Sequence, residues 1–157
     1  MPGVGNLFRG VNSLNLDAKG RMAMPTRYRP SLVDGCSGQM VITVDNRERC
    51  LLVYPFPEWE VVERKLQKLP AFNKQARRLQ RLLMGHATEV DMDGAGRLLL
   101  PPPLREFAGL DKHAVLIGQG NKFELWSEEL WTQRREEWLA EDDDLDDLPP
   151  EMESMSL

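Results

Sequence analysis

Cysteine and long apolar runs are both scarce in this sequence. Cys36 and Cys50 are the only cysteines in 157 residues and form no Cys-x-x-Cys pair, which is too few for a disulfide framework and favours a reducing cytoplasm. No apolar run approaches the roughly 18 residues that a membrane span requires. The first residues also lack the basic and apolar regions of a secretory leader. We therefore expect a soluble protein with no membrane partner.

Metal-binding and catalytic motifs are equally scarce. His86 and His113 stand alone, without a second ligand at metal spacing. The segment from Asp91 begins like a calcium loop, but Pro102 occupies the position where a bidentate glutamate is needed. No Gly-x-Ser-x-Gly, Walker or complete Gly-x-Gly-x-x-Gly motif is present. We expect no enzyme activity, no cofactor, no metal and no small-molecule substrate.

Positive charge is unevenly distributed along a chain whose net charge is −5. Residues 141–157 hold eight acidic side chains and no Lys or Arg, so they are predicted to form an acidic, disordered tail. The rest of the chain is slightly basic. Near the amino end, five bases face Asp17 alone: Arg9, Lys19, Arg21, Arg27 and Arg29. A basic surface is therefore compatible with the acidic total.

One short phrase occurs twice. Asp17–Arg21 has the sequence DAKGR and Asp93–Arg97 has the sequence DGAGR, and a hydrophobic run ending in proline follows each. The same offset matches Arg29 to Arg105. Such a constant register indicates two copies of one structural unit, each too small to build a large core alone.

Each copy predicts the same order of elements. Alternating apolar residues flank each phrase and predict two short strands around a tight turn, in which Gly20 or Gly96 supplies a positive φ. Strands at 40–44 and 50–54, or 114–117 and 122–126, and then a helix complete each copy. The fold class is therefore α+β, with two tandem ββα-type units. The predicted organisation is an extension at 1–7, a first repeat at 8–70, a connecting helix at 71–86, a second repeat at 87–140 and the tail at 141–157.

The connecting helix carries a basic stripe at helical spacing, formed by Lys74, Arg77, Arg78 and Arg81. Two interpretations stay open. The stripe is either a solvated face, with ion pairs to Glu60 or Glu63, or a surface that contacts nucleic acid.

The repeated phrase also permits two interpretations. In the first, Asp17 pairs with Arg21 and Asp93 with Arg97 simply to pin each turn. In the second, the exposed turn presents Lys19 and Arg21 to a polyanion, because arginine can bind guanine O6 and N7 with two hydrogen bonds and lysine can neutralise phosphate. The second copy has alanine in place of Lys19.

Several segments together resemble the MraZ family of bacterial regulators. They are the paired Asp-x-x-x-Arg phrases, Phe8–Gly10, Pro25–Arg29, Leu51–Glu60, Arg78–Gly85 and Asn121–Trp126. The resemblance implies an AbrB-like swapped-hairpin β-barrel with peripheral helices. It also implies a sequence-specific DNA-binding regulator of its own operon, the division and cell-wall gene cluster. Such a regulator binds short direct repeats in promoter DNA as a ring-shaped homo-oligomer, in the cytoplasm at the nucleoid.

By position, the resemblance assigns DNA contact to Lys19 and Arg21, with Arg9 and Arg27 as phosphate partners. Asp17, Gly20, Asp93, Gly96 and Arg97 are expected to shape the turns. We expect the first copy to dominate DNA binding, and Arg97→Ala to damage folding more than recognition. A ring-forming protein-interaction module and an AbrB-like antitoxin remain alternatives.

Overall fold

The computed structural model of the chain describes residues 7–141, 149–153 and 155. Its strands are β1 (Phe8–Asn15), β2 (Arg21–Ala23), β3 (Gln39–Val44), β4 (Leu51–Pro55), β5 (Thr88–Asp91), β6 (Arg97–Leu99), β7 (His113–Gly120) and β8 (Phe123–Ser127). Its α-helices are α1 (Arg29–Cys36), α2 (Phe56–Gln67), α3 (Lys74–Leu79), α4 (Pro102–Phe107), α5 (Glu128–Ala140) and α6 (Pro150–Glu153). A π-helical turn, Gln80–Met84, continues α3.

The two copies exchange strands. The larger sheet is antiparallel in the order β1-β7-β8-β4-β3-β5, and β2 pairs with β6 in a separate two-stranded sheet. The first strand of each copy therefore pairs with the third strand of the other copy, β1 with β7 and β5 with β3. The strand order of the larger sheet is unchanged if each strand is replaced by its equivalent in the other copy. Neither copy completes its sheet alone, as the small size of each repeat led us to expect.

The α+β class is confirmed, but the expected closed barrel is not present. The six-stranded sheet is open, with β1 and β5 at its edges. Between β1 and β2, the only strand pairing in the described chain is an isolated bridge from Leu16 to Met22. Beyond this bridge, backbone hydrogen bonds join the two copies. Met24 N donates to Gly96 O, and Leu100 N donates to Gly20 O. These bonds between the copies occupy backbone groups that would otherwise be free to join the short strands to the large sheet.

The main core lies between the two sheets. Met22, Met24, Leu98 and Leu100 are fully buried there beside side chains from β3, β4, β7 and β8. A second cluster forms under α2 and α3 around Trp59. A third forms under α5, where Trp126, Trp131 and Trp138 make edge contacts. The apolar periodicity of the sequence thus corresponds to buried faces.

Most helix boundaries follow local signals. Ser127 caps α5, since its hydroxyl accepts from Leu130 N at 3.2 Å. The helix α1 runs from Arg29 to Cys36 and ends at Ser37 and Gly38, both with positive φ. The predicted extension lies outside the described residues at 1–6, and the predicted tail does so at 142–148, 154, 156 and 157. Within the described part of that tail, Pro150–Glu153 is helical. No helix in the described ranges is long and apolar enough to cross a membrane.

Candidate nucleic-acid interface

The two arginines of the repeated phrase lie on one exposed face. We call strands β2 and β6, with the turns at 17–20 and 93–96, the β2–β6 ribbon. In its register Arg21 faces Leu99 and Ala23 faces Arg97. Met22 and Leu98 are fully buried, so the alternate residues point outward. Arg21 and Arg97 are then diagonal neighbours, about 7–8 Å apart by sheet geometry.

Asp17 holds the first turn and the base of the Arg21 side chain. Its Oδ1 accepts from the backbone N of Lys19 and of Arg21, both at 2.9 Å. Its Oδ2 accepts from Arg21 Nε at 2.7 Å. Within the described chain, this is the only hydrogen bond of the guanidinium, so both Nη groups are left for another acceptor. The backbone N–H of Arg21, with smaller contributions from its guanidinium and from Lys19 N, lowers the pKa of Asp17 to about 2.

Asp93 repeats this arrangement in the second turn. Its Oδ1 accepts from the backbone N of Ala95 at 3.0 Å and of Arg97 at 2.8 Å. Its Oδ2 accepts from Arg97 Nε at 2.9 Å. The backbone N–H of Arg97 is the main cause that lowers the pKa of Asp93. The ion pairs expected if the phrase only pins its turn are thus present, and each one also orients a partly exposed guanidinium.

Arg29 and Arg105 cross between the copies. The Arg29 Nε donates to Met24 O at 2.7 Å, and a Cβ added to Gly96 would lie 2.6 Å from Arg29 Cζ. Arg105 packs in the same way on Gly20. Arg29, one of the five bases near the amino end, therefore packs against the second turn, because strand exchange carries it there. The repeat alignment showed that the two arginines are equivalent, but it held no signal for which turn each one contacts.

Arg9 and Arg27 lie away from the first turn. Arg9 pairs with Gln119 at the opposite end of β1 from Asp17, and eight extended residues span about 26 Å. The Arg27 guanidinium bonds Asn12 Oδ1 and stacks on the Tyr28 ring, 4.8 Å from its centroid. The structure thus brings Lys19, Arg21 and Arg97 to one ribbon and leaves Arg9 and Arg27 on another part of the surface.

Two features of the ribbon were missed at the sequence level. Leu99 is 53% exposed and stands opposite Arg21, although it lies within an apolar run. Lys19 and Leu99 both line an open cleft that also includes Thr88 and Pro101. Alternation along β6 was the signal that places Leu99 outward, since its neighbours Leu98 and Leu100 are buried.

The structure also places the calcium-like segment at Asp91 and the basic stripe of the connecting helix. Asp91 lies in β5, and Asp93 is bonded to its own turn. Across the described residues, no group of three His, Cys, Asp or Glu side chains could hold a metal ion. In the same residues, the basic stripe of α3 forms no ion pair with Glu60 or Glu63. Glu63 instead accepts from Trp59 Nε1 at 2.9 Å.

Fold and site together define a duplicated, strand-exchanged α+β protein that presents a pair of arginines on a short ribbon. A family model described as "MraZ protein, putative antitoxin-like" matches residues 7–82 and 83–147. The chain belongs to the MraZ family.

Curated relatives resemble nearly the whole chain. A protein of Thioalkalivibrio sulfidiphilus is 61% identical over 151 residues, which is 96% of this chain and 100% of the relative. A protein of Halorhodospira halophila is 61% identical, with the same two coverages. A protein of Methylococcus capsulatus is 59% identical over 96% of this chain and 99% of its own length. Each of these relatives is named a transcriptional regulator, MraZ, and none carries the name of an enzyme.

Proposed function

We propose that this protein is a sequence-specific DNA-binding transcriptional regulator whose β2–β6 ribbon contacts the DNA. One observation carries the proposal: Arg21 and Arg97 share the exposed face of a two-stranded ribbon, with Lys19 in the adjoining turn. The major groove of DNA, about 12 Å wide, admits a two-stranded ribbon. The names of the curated relatives support the same function.

The turns suit the chemistry of base recognition. Because Asp17 bonds Nε of Arg21, the guanidinium is oriented and its Nη groups stay available to another acceptor. Two parallel N–H donors match O6 and N7 of guanine, a pairing that discriminates against other bases by about 1–3 kcal/mol. Lys19, at the exposed tip of its turn, is suited to a phosphate. We keep Arg9 and Arg27 as phosphate partners, reached on a different stretch of the duplex.

One ribbon offers few contacts, so useful affinity requires several copies. We propose that identical subunits form a ring and bind short direct repeats upstream of the protein's own operon, the division and cell-wall gene cluster. Repeats about one helical turn apart would present the same groove to neighbouring subunits. The second and later ribbons would then bind at high effective concentration. This assembly would act in the cytoplasm, at the nucleoid.

A mobility-shift titration tests the proposal on DNA from upstream of the protein's own gene, with scrambled repeats as the competitor. Wild type is expected to prefer the intact repeats, and Arg21→Ala to lose that preference by at least tenfold, as expected when one bidentate contact is removed. The size of the oligomer should be unchanged in the same samples. Equal affinity for intact and scrambled DNA in wild type would instead favour the protein-interaction alternative.

Arg97→Ala separates the two roles considered for the second turn. From the sequence we expected this substitution to harm folding more than recognition. The shared outer face of Arg21 and Arg97 changes that expectation. We propose that Arg97→Ala also weakens repeat binding, with a smaller loss than Arg21→Ala because alanine stands where the first turn has Lys19. A destabilised Arg97→Ala protein with full DNA affinity would return Arg97 to a purely structural role.

A further inference from the structure

The strongest charged surface outside the ribbon lies on α2 and α3. Residues 64–88 contain no Asp or Glu, yet they hold seven exposed bases: Arg64, Lys65, Lys68, Lys74, Arg77, Arg78 and Arg81. We call these seven side chains the α2–α3 basic surface. In the described ranges, none of them takes part in an ion pair. Arginines on α5 differ, since Arg134 pairs with Glu48 and Glu137.

This surface is held in place by the fold. Gln80 Nε2 donates to Leu66 O at 2.8 Å and joins the two helices. The buried Thr43 hydroxyl donates to Leu83 O at 2.6 Å and fixes the π-helical turn to β3. Ala76 is buried beneath the stripe, while Arg77 and Arg81 line a shallow cleft on the outer side. The bases are therefore presented by an anchored pair of helices.

The α2–α3 basic surface lies close along the chain to the cleft beside the β2–β6 ribbon. The π-helical turn ends at Met84, and Thr88, four residues later, lines the same cleft as Lys19. Four residues thus separate the end of the π-helical turn from the cleft beside the first turn, and Glu89 and Asp91 also line that cleft.

We infer that the α2–α3 basic surface binds the phosphate backbone of duplex DNA without regard to sequence. Charge complementarity carries the inference, because seven cations with no carboxylate among them match the regular negative charge of a duplex. The surface is rich in arginine, and guanidinium groups bind phosphate with paired hydrogen bonds. The inference extends the proposed function, since these contacts would position the DNA while the ribbon reads it.

The experiment compares two double variants that remove equal charge. Arg77→Gln with Arg81→Gln changes the basic surface, and Arg47→Gln with Arg135→Gln is the control on other exposed positions. Binding to a random-sequence duplex is measured against salt concentration by fluorescence anisotropy. We expect the Arg77/Arg81 variant to lower the log–log salt slope by about 2, since each neutralised phosphate contributes roughly 0.9. The control should keep the wild-type slope.

Further measurements make each outcome decisive. Arg77→Lys with Arg81→Lys retains both charges and should restore the slope, which separates lost charge from misfolding. On promoter repeats, the Gln variant should lose affinity by the same factor as on random DNA. An unchanged slope, or an equal fall in the control, would overturn the inference. So would lost binding to phosphatidylglycerol vesicles with DNA binding intact, because the surface would then serve a membrane. Random DNA is the substrate, so the inference can succeed even if wild type shows no preference for the repeats.

Discussion

Single carboxylates set the conformation of both ribbon turns. Asp17 accepts two backbone N–H groups and one guanidinium N–H, so its charged form is stabilised in the folded protein. Its pKa of about 2 lies below the value near 3.9 of an unfolded aspartate. Asp17 therefore contributes stability that is fully present above about pH 4 and is lost as the pH falls toward 2.

Asp17→Asn should remove this pH dependence. The difference in the free energy of unfolding between wild type and variant should be largest above pH 4 and should shrink between pH 4 and pH 2. Urea denaturation at a series of pH values measures it. Asp111→Asn, which removes an exposed carboxylate outside both turns, is the control. A difference that stays constant from pH 6 to pH 2 would contradict the assigned pKa.

Two features require glycine at position 20: its backbone conformation and the close packing of Arg105. Its φ is +83°, and an added Cβ would lie 2.6 Å from Arg105 Cζ. Gly20→Ala should destabilise the fold by roughly 1–3 kcal/mol, the usual cost of a left-handed non-glycine residue. Gly94→Ala is a matched control, because no atom lies within 4 Å of a Cβ there. Similar losses in the two variants, measured by urea denaturation, would refute this reason for the glycine.

Among the elements, the π-helical turn depends on one buried hydroxyl. Thr43 is fully buried and donates to Leu83 O at 2.6 Å. Thr43→Val keeps the shape of the side chain and leaves that carbonyl without its donor. We expect a loss of roughly 1–3 kcal/mol, the cost of an unsatisfied buried polar group. Thermal and urea unfolding measure it, and wild-type stability in the variant would show that the carbonyl finds another donor.

The sequence predicted the positions of strands and helices better than it predicted which strands pair with each other. Alternation around Gly20 and Gly96, together with the repeat, predicted the strands that the structure contains. The residue pattern alone did not give the partner of each strand, because both copies carry the same pattern and the offset is identical for pairing within a copy or between copies. For that reason the sequence did not show that Arg29 packs against the second turn. The exposed position of Arg97 beside Arg21 depends on the same pairing.

At the scale of the whole molecule, strand exchange makes the two copies one folding unit. The strand β3 of the first copy lies between β4 and β5, and β7 of the second copy lies between β8 and β1. Opening either copy therefore exposes core residues of the other, such as Ile42 and Leu116, which are both fully buried.

Native-state hydrogen exchange should show that the two copies unfold as one cooperative unit. The amides of Ile42 and Leu116 are expected to exchange with the same opening free energy, equal to that of global unfolding. Chemical denaturation followed by tryptophan fluorescence and by circular dichroism should give one shared midpoint. If β3 exchanged at a much lower free energy than β7, the copies would be separate cooperative units.

The central claim is that the outer face of the β2–β6 ribbon contacts promoter DNA. Leu99 is 53% exposed on that face, opposite Arg21, and a photo-crosslinking amino acid can replace it at similar size. Leu139, 67% exposed on α5, is the matched position elsewhere. With DNA from upstream of the protein's own gene, irradiation should crosslink the variant at position 99 and not the one at position 139. Crosslinking at 139 alone would contradict the account.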